Sequence, residues 1–266
     1  GFRSYISSSI SKTDNYVNIK NNEKPVTFPV LQEYLKKFDK FKQSSKIQSG
    51  GIGMSIKDKI NSFLKWIFQT YDDEYRKTYD HFGVTVFQVL KNVIIQEFTR
   101  NSRQRFLEKN SIMNPDFKEK FIYFPLHVQP ERNIDIDAPY YSNQFVAIDN
   151  IARSLPIQYK LYVKEHNSMK FRNWRQKSFY NSILNLPNVK LIHPSLNPLE
   201  IIKNCALVIT IAGSAGLEAA FYEKPSIVLA DVSYSSLSCV KKIKNIEELP
   251  NAIRESLGIK VNPYEL

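Results

Sequence analysis

The chain changes its grammar after Asn114-Pro115: from there on, short apolar runs alternate with longer amphipathic stretches. Residues 120–127 (KFIYFPLH), 158–164 (QYKLYVK), 188–192 (NVKLI), 206–211 (ALVITI) and 225–230 (PSIVLA) have the length and composition of strands. Between and after them, 143–154, 168–185, 198–204, 215–222 and 246–257 read as helices. Phe145, Ile148, Ile151 and Ala152 share the inward face of the first, and Pro198 suits the opening position of the third. Five strands separated by helices predict an α/β chain with a parallel, doubly wound sheet over residues 118–266. Right-handed crossovers follow from strand twist.

The first part of the chain lacks this alternation. Residues 1–25, rich in Ser, Asn and Lys, read as loop, and Gly50, Gly51 and Gly53 mark a flexible connection over 44–55. Helical spacing recurs at 29–43 through Leu31, Tyr34, Leu35, Phe38 and Phe41. It recurs at 56–70 through Ile56, Ile60, Phe63, Leu64, Ile67 and Phe68, and again at 84–107, which ends in the basic run Arg100, Arg103 and Arg105. Residues 1–117 are therefore expected to be mostly helical, with an organisational boundary near residue 120.

Charge sharpens the division. The net charge is +11, with net +8 in residues 1–120 and +3 in 121–266, so the chain seeks anionic partners. Cys205 and Cys239 are too few for a disulfide framework or a zinc ribbon and fit a reducing compartment. No apolar run approaches the roughly 18 residues of a membrane span, and no leader peptide is visible. A cytoplasmic location is expected. The helix at 56–70 carries a basic face beside Phe63, Trp66 and Phe68. Its stronger reading is core packing; the weaker is a peripheral contact with the inner face of the cell membrane.

Ligands of open α/β sheets bind beyond the carboxyl ends of the strands. The residues found there are His127, Gln129 and Glu131 after the first strand and Lys164, Glu165 and His166 after the second. His193-Pro194-Ser195 follows the third, Gly213 to Glu218 the fourth and Asp231 the fifth. Three of the four histidines lie at such ends. ITIAGSAGLEAAF, residues 209–221, is the most specific signal: a buried strand running through a small-residue turn into a helix. In a chain with only 8 glycines, Gly213 and Gly216 would let backbone approach a ligand closely. Ser214 could cap the helix, and Glu218 in its first turn could accept both hydroxyls of a ribose. A plain strand–helix turn with a dipole-favoured carboxylate fits the same residues equally well. The turn lacks the Gly-Lys-Ser/Thr ending of a phosphate-binding P-loop. Glu131 and Glu165 are candidate general bases, carboxylates at strand ends where a substrate hydroxyl could lose a proton. Asp135-Ile136-Asp137 has the letters of a metal motif but sits in the loop after the first strand, so no metal site is expected.

YFPLHVQPE (123–131), VKEH (163–166), LIHPS (191–195) and ITIAGSAGLEAAFYEKPSIVLAD (209–231) together resemble the capsular-polysaccharide synthesis proteins, a group related to the bacterial β-Kdo transferases. The resemblance covers roughly residues 118–257. It implies a GT-B glycosyltransferase, with two Rossmann-like domains facing across a cleft, the second binding the sugar nucleotide. Carried over by motif, Gly213, Ser214, Gly216 and Glu218 would hold the nucleotide. His193 would meet a phosphate or the donor sugar, and Lys164 and His166 would contact donor charge. His127, Gln129 and Glu131 would be the catalytic candidates near the reacting centre. Family members often carry Lys-x-His-Pro after the second strand, where this chain has Asn167. Residues 1–117 are expected to be too short and too helical for a complete six-stranded acceptor domain, and stand as a partial domain or one with another task.

The resemblance implies a metal-independent glycosyltransferase with no cofactor. Its donor would be a CMP- or UDP-linked sugar and its acceptor a surface or capsular glycan, free or lipid-linked. Two alternatives stay open: a partner-dependent scaffold module of a glycan-assembly complex, and a nucleotide-sugar epimerase. Nucleic-acid binding has only the net charge behind it and no recognised motif, so no nucleic-acid partner is expected.

Overall fold

The computed structural model describes Asn61, Leu64, Lys65 and residues 86–261. The loop expected at 1–25, the helix at 29–43 and the glycine connection at 44–55 lie outside the described residues, as does nearly all of the helix at 56–70.

The first element described along its whole length is helix α1 (Val86–Asn110), close to the span that the spacing predicts. All five predicted strands are present: β1 (Phe121–Pro125), β2 (Lys160–Lys164), β3 (Val189–Ile192), β4 (Leu207–Thr210) and β5 (Ser226–Val228). A sixth, β6 (Val240–Lys242), completes a sheet of order β3-β2-β1-β4-β5-β6 in which every pair is parallel. β6 escapes the sequence reading because it is an edge strand with two exposed lysines, Lys241 and Lys242, which also guard its open side.

The inner strands are buried on both faces, as a parallel sheet covered by helices requires. Ile122, Phe124, Leu161, Val163, Leu207 and Ile209 pack on one face. They meet Ile148 and Ile151 of α3 (Gln144–Ser154) and Ile253 of α7 (Leu249–Gly258). Phe121, Tyr123, Tyr162 and Val208 pack on the other, against Ile201 and Ile202 of α5 (Pro198–Asn204) and Ala219 of α6 (Ala215–Ala220). Phe121 and Tyr162 stack there across β1 and β2 with ring centroids 4.1 Å apart. Burying each such side chain contributes about 1.5–3 kcal/mol.

Two details depart from the predicted pattern. A short helix, α2 (Arg132–Asp135), and a 3₁₀ turn at Pro139–Tyr141 occupy the loop after β1. The helix expected over 168–185 is two pieces, a 3₁₀ stretch at Asn167–Arg172 and α4 (Lys177–Leu184). They are divided by Asn173 and Trp174, both left-handed, with φ of 62° and 55°. Nη1 of Arg103 on α1 donates to the carbonyls of both, at 3.1 and 3.0 Å, and holds the break open. The end of α1 thus packs on the sheet domain: Leu107 is buried among Val128, Met169, Trp174, Tyr180 and Leu191.

Candidate functional site

The strand order reverses direction between β1 and β4. From β1 the chain builds outward through β2 to β3, then returns to place β4 on the other side. The crevice beyond the carboxyl ends of these two strands is where an open sheet of this kind receives its ligand. His127 follows β1 and the Gly213 turn follows β4, and the structure brings them into contact. The Ala212 N–H donates to His127 Nε2 at 3.2 Å, and Thr210 Oγ1 lies 3.4 Å from the same nitrogen. A ring nitrogen that accepts is unprotonated, so the proton of the neutral ring is on Nδ1. That atom is buried with no hydrogen-bond partner among the described residues. Burial pulls the His127 pKa down to about 4, and the nearby His166 and Arg175 pull the same way. At neutral pH His127 is therefore a neutral ring.

Both glycines of the turn are needed for packing. A Cβ at Gly213 would lie 2.9 Å from Thr210 Oγ1 and 3.0 Å from His127 Nε2. One at Gly216 would lie 2.7 Å from the hydroxyl of Tyr234. Tyr234, from the segment after β5, lies across the turn and donates a hydrogen bond to the Gly213 carbonyl. The close approach that sequence reasoning reserves for a ligand is thus made first by three side chains of the protein itself, Thr210, His127 and Tyr234.

Ser214 does not cap α6. Its backbone is already helical and makes no side-chain cap bond; its hydroxyl donates to Glu218 Oε1 at 2.8 Å. The two side chains form a polar pair on the half-exposed rim of the crevice.

Behind His127 lies a buried polar node. Arg175 donates from Nε to Glu165 Oε2 at 2.9 Å, from Nη1 to Gln129 Oε1 at 2.8 Å and from Nη2 to the His127 carbonyl. Tyr180 donates to Glu165 Oε2 at 2.8 Å, and the His166 N–H to Oε1 at 2.8 Å. Gln144 closes the node: its Nε2 donates to the His127 carbonyl at 3.1 Å and to Gln129 Oε1 at 2.9 Å, and its Oε1 accepts from the His127 N–H.

This node reassigns two expected residues. Glu165 has no exposed side-chain surface and is fully bonded. Burial pushes its carboxyl up from the ordinary range while Arg175, Tyr180 and the His166 N–H hold it back. It cannot meet a substrate hydroxyl as a base, and it serves to orient Arg175. Gln129 donates to Asp135 Oδ1 and the Ser142 carbonyl while accepting from Arg175 and Gln144, so its amide is occupied at both ends. Glu131 stands exposed at the start of α2, joined through its backbone N–H to Asp135.

The remaining candidates spread along the rim. Lys164, at the end of β2, is only 6% exposed, and burial pulls its ammonium down to about 8 against the opposing charge of Glu165. His193 is half-buried after β3, its Nδ1 accepting the Ser195 N–H at 3.2 Å and 2.7 Å from the Ser195 hydroxyl. Burial lowers its pKa, the charge of Glu108 opposes that shift, and Lys164 adds a lesser downward pull. β3 stands three strand spacings from β4, roughly 14 Å at sheet level. His193 and the Gly213 turn therefore face different parts of an extended ligand. His166 is exposed and caps the 3₁₀ stretch, its Nδ1 accepting the Ser168 N–H at 3.2 Å. Asp231 pairs with Lys242. Among the described residues no His, Cys, Asp and Glu cluster could hold a metal ion, and no helix is long and apolar enough to cross a membrane.

With this geometry in view, comparison with known proteins is informative at one level. The family model described as capsule polysaccharide biosynthesis protein matches residues 20–241. The chain belongs to that family. No curated protein matches it. Among solved structures, UDP-GlcNAc 2-epimerase from Methanocaldococcus jannaschii is 21% identical, with 67% of this chain and 49% of that one covered at a TM-score of 0.43. Thermosulfurimonas dismutans KpsC, a β-Kdo 2,7 transferase, is 17% identical, with 65% and 51% covered at a TM-score of 0.39. The Neisseria meningitidis UDP-GlcNAc 2-epimerase bound to UDP-GlcNAc is 15% identical, with 68% and 47% covered at 0.42. This family member spans about half the length of these solved proteins.

Sequence reasoning missed Gln144, Arg175, Tyr180 and Tyr234. The three node residues bond across 10 to 48 positions of sequence, and nothing local distinguishes them from surface polar residues. Tyr234 had a usable signal: an aromatic residue shortly after a strand end in the same sheet.

Proposed function

We propose that this capsule-synthesis family member is a glycosyltransferase of GT-B type, moving a sugar from a nucleotide-activated donor to a surface or capsular glycan. The observation that carries this reading is the contact of His127 with the Gly213 turn where the strand order reverses. The donor lies on the Gly213–Glu218 segment, with the Ser214–Glu218 pair turned to the ribose and the leaving phosphate toward Lys164. A cation there stabilises charge that develops as the glycosidic bond breaks. His127, neutral and fixed through Nε2, shapes the crevice, and its buried Nδ1 proton has no partner among the described residues. Glu131, exposed beside Gln129, is the carboxylate placed to take the acceptor proton. The acceptor is a free or lipid-linked glycan met at the inner face of the membrane.

Calorimetry of the full chain with CMP and UDP tests the donor site. One of them binds below millimolar concentration, and Glu218→Ala weakens it by about tenfold. Absence of binding by any nucleotide or sugar nucleotide at millimolar concentration overturns the reading. Product analysis with and without an acceptor glycan separates transfer from epimerisation.

A further inference from the structure

On the far side of the polar node from the Gly213 turn lies an open cleft of about 550 Å³, bounded by α1, the Met169–Gln176 segment and the first turns of α3 and α4. That is the size of a small-molecule site. Arg103, Arg172 and Arg175 all line it, and no carboxylate does. Arg175 is neutralised by Glu165, but Arg103 and Arg172 have no ion-pair partner among the described residues. Arg103 uses Nη1 on two carbonyls and Arg172 uses Nη1 on the Pro130 carbonyl, so each guanidinium keeps further N–H groups. Trp174, 5% exposed, lines the same cleft, and its indole N–H is buried without a partner among the described residues. The cleft therefore concentrates positive charge and N–H groups that the described residues satisfy only in part.

We propose that this cleft is a subsite for an acidic saccharide, a carboxylate-bearing sugar of the glycan acceptor. A planar guanidinium fork matches a carboxylate. The rest of the lining favours a hydroxyl-rich ring over a nucleobase. Arg175 covers the face of Phe179 at 4.9 Å, and Trp174 is too buried to offer a stacking surface. Asn143, Gln176 and Ser178 instead offer groups that bond hydroxyls. Arg175 and Gln129 line the cleft and also bond to each other, and Arg175 grips the His127 carbonyl, so the cleft adjoins the donor crevice through one shared wall. The acceptor role rests on the glycosyltransferase reading above; the binding itself does not.

The test titrates the full chain with digalacturonate, its carboxyl-reduced neutral counterpart and inorganic phosphate, with CMP and UDP titrated in parallel. Digalacturonate binds, and the neutral disaccharide binds at least about tenfold more weakly. Arg172→Gln, an exposed change, weakens digalacturonate by about tenfold, and Ser178→Trp, which fills the cleft from an exposed position, abolishes it. Neither variant alters nucleotide affinity, whereas Glu218→Ala has the converse pattern. Equal binding of the neutral disaccharide, full competition by equimolar phosphate, unchanged affinity in Arg172→Gln, or no digalacturonate binding at all would each overturn the subsite. If Ser178→Trp also loses the nucleotide, its fold is damaged and Arg172→Gln decides alone. Saccharide binding without any nucleotide binding removes the donor reading and leaves the subsite standing.

Discussion

Arg175 Nε lies 2.9 Å from Glu165 Oε2, and the carboxylate it meets has no exposed side-chain surface. This pair is the pivot between the carboxyl ends of β1 and β2: Arg175 reaches on to Gln129 and to the His127 carbonyl. Removing one partner leaves a charge buried without compensation, at a cost of about 3–5 kcal/mol. Arg175→Met is expected to lower the melting temperature by roughly 10 °C. The paired change Arg175→Met with Glu165→Leu is expected to recover most of that loss, because no buried charge is then left unpaired. Calorimetric melting of the two variants checks this; equal melting temperatures would mean that the pair is not the source of the stability.

The glycine turn makes a more specific prediction. Gly216→Ala puts a methyl group 2.7 Å from the Tyr234 hydroxyl, and Gly213→Ala puts one 3.0 Å from His127 Nε2. Overpacking of this kind costs about 1–3 kcal/mol. Tyr234→Ala removes a packed ring and its bond to the Gly213 carbonyl, but it also removes the clash, so it costs less in the Gly216→Ala background than in the unmodified chain; in Gly213→Ala it brings no such relief. A double-mutant cycle by urea unfolding reads the difference; additivity of Gly216→Ala with Tyr234→Ala would contradict the contact.

These two sites mark how far the residues alone carry the structure. The strands of the inner sheet are legible because runs such as Leu207–Thr210 are buried on both faces and leave no room for polar alternation. β6 is not, since Lys241 and Lys242 belong to an exposed edge. The break in the helix at 168–185 is invisible for a different reason: Arg103 imposes it from 70 residues away. Within the site, strand ends locate His127 and the Gly213 turn, because topology alone collects them. The roles of Glu165 and Gln129 depend on which donors surround them. Those donors come from Arg175, Tyr180 and Gln144, so a carboxylate that reads as a base is held inside the protein.

His127 ties stability to acid. Its folded pKa near 4 lies below the ordinary value of 6.5 because the charged ring is poorly solvated. Between those two values the unfolded chain binds a proton that the folded chain does not, so stability rises with pH across the window and falls on acidification. His127→Gln removes this dependence. Urea midpoints measured from pH 4 to pH 7 are expected to fall less steeply toward acid in the variant, and parallel curves would exclude His127 as the source.

Lys164 carries the last prediction, and its sign runs through the ligand. Burial brings its ammonium down to about 8 from 10.5, so between those values the folded chain lacks a proton that the unfolded chain holds, and stability rises with pH there. A nucleotide phosphate placed beside Lys164 reverses the balance by favouring the charged form. Binding at pH 8.5 should then take up part of a proton, while binding at pH 6.5, where the lysine is already charged, should take up almost none. Calorimetric titration in two buffers of different ionisation enthalpy measures that uptake directly. Lys164→Met is expected to abolish the uptake, to weaken the nucleotide by about tenfold, and to raise the melting temperature, since a buried charge with no hydrogen-bond partner among the described residues gives way to an apolar side chain. Proton uptake that persists in Lys164→Met would place the phosphate against a different group.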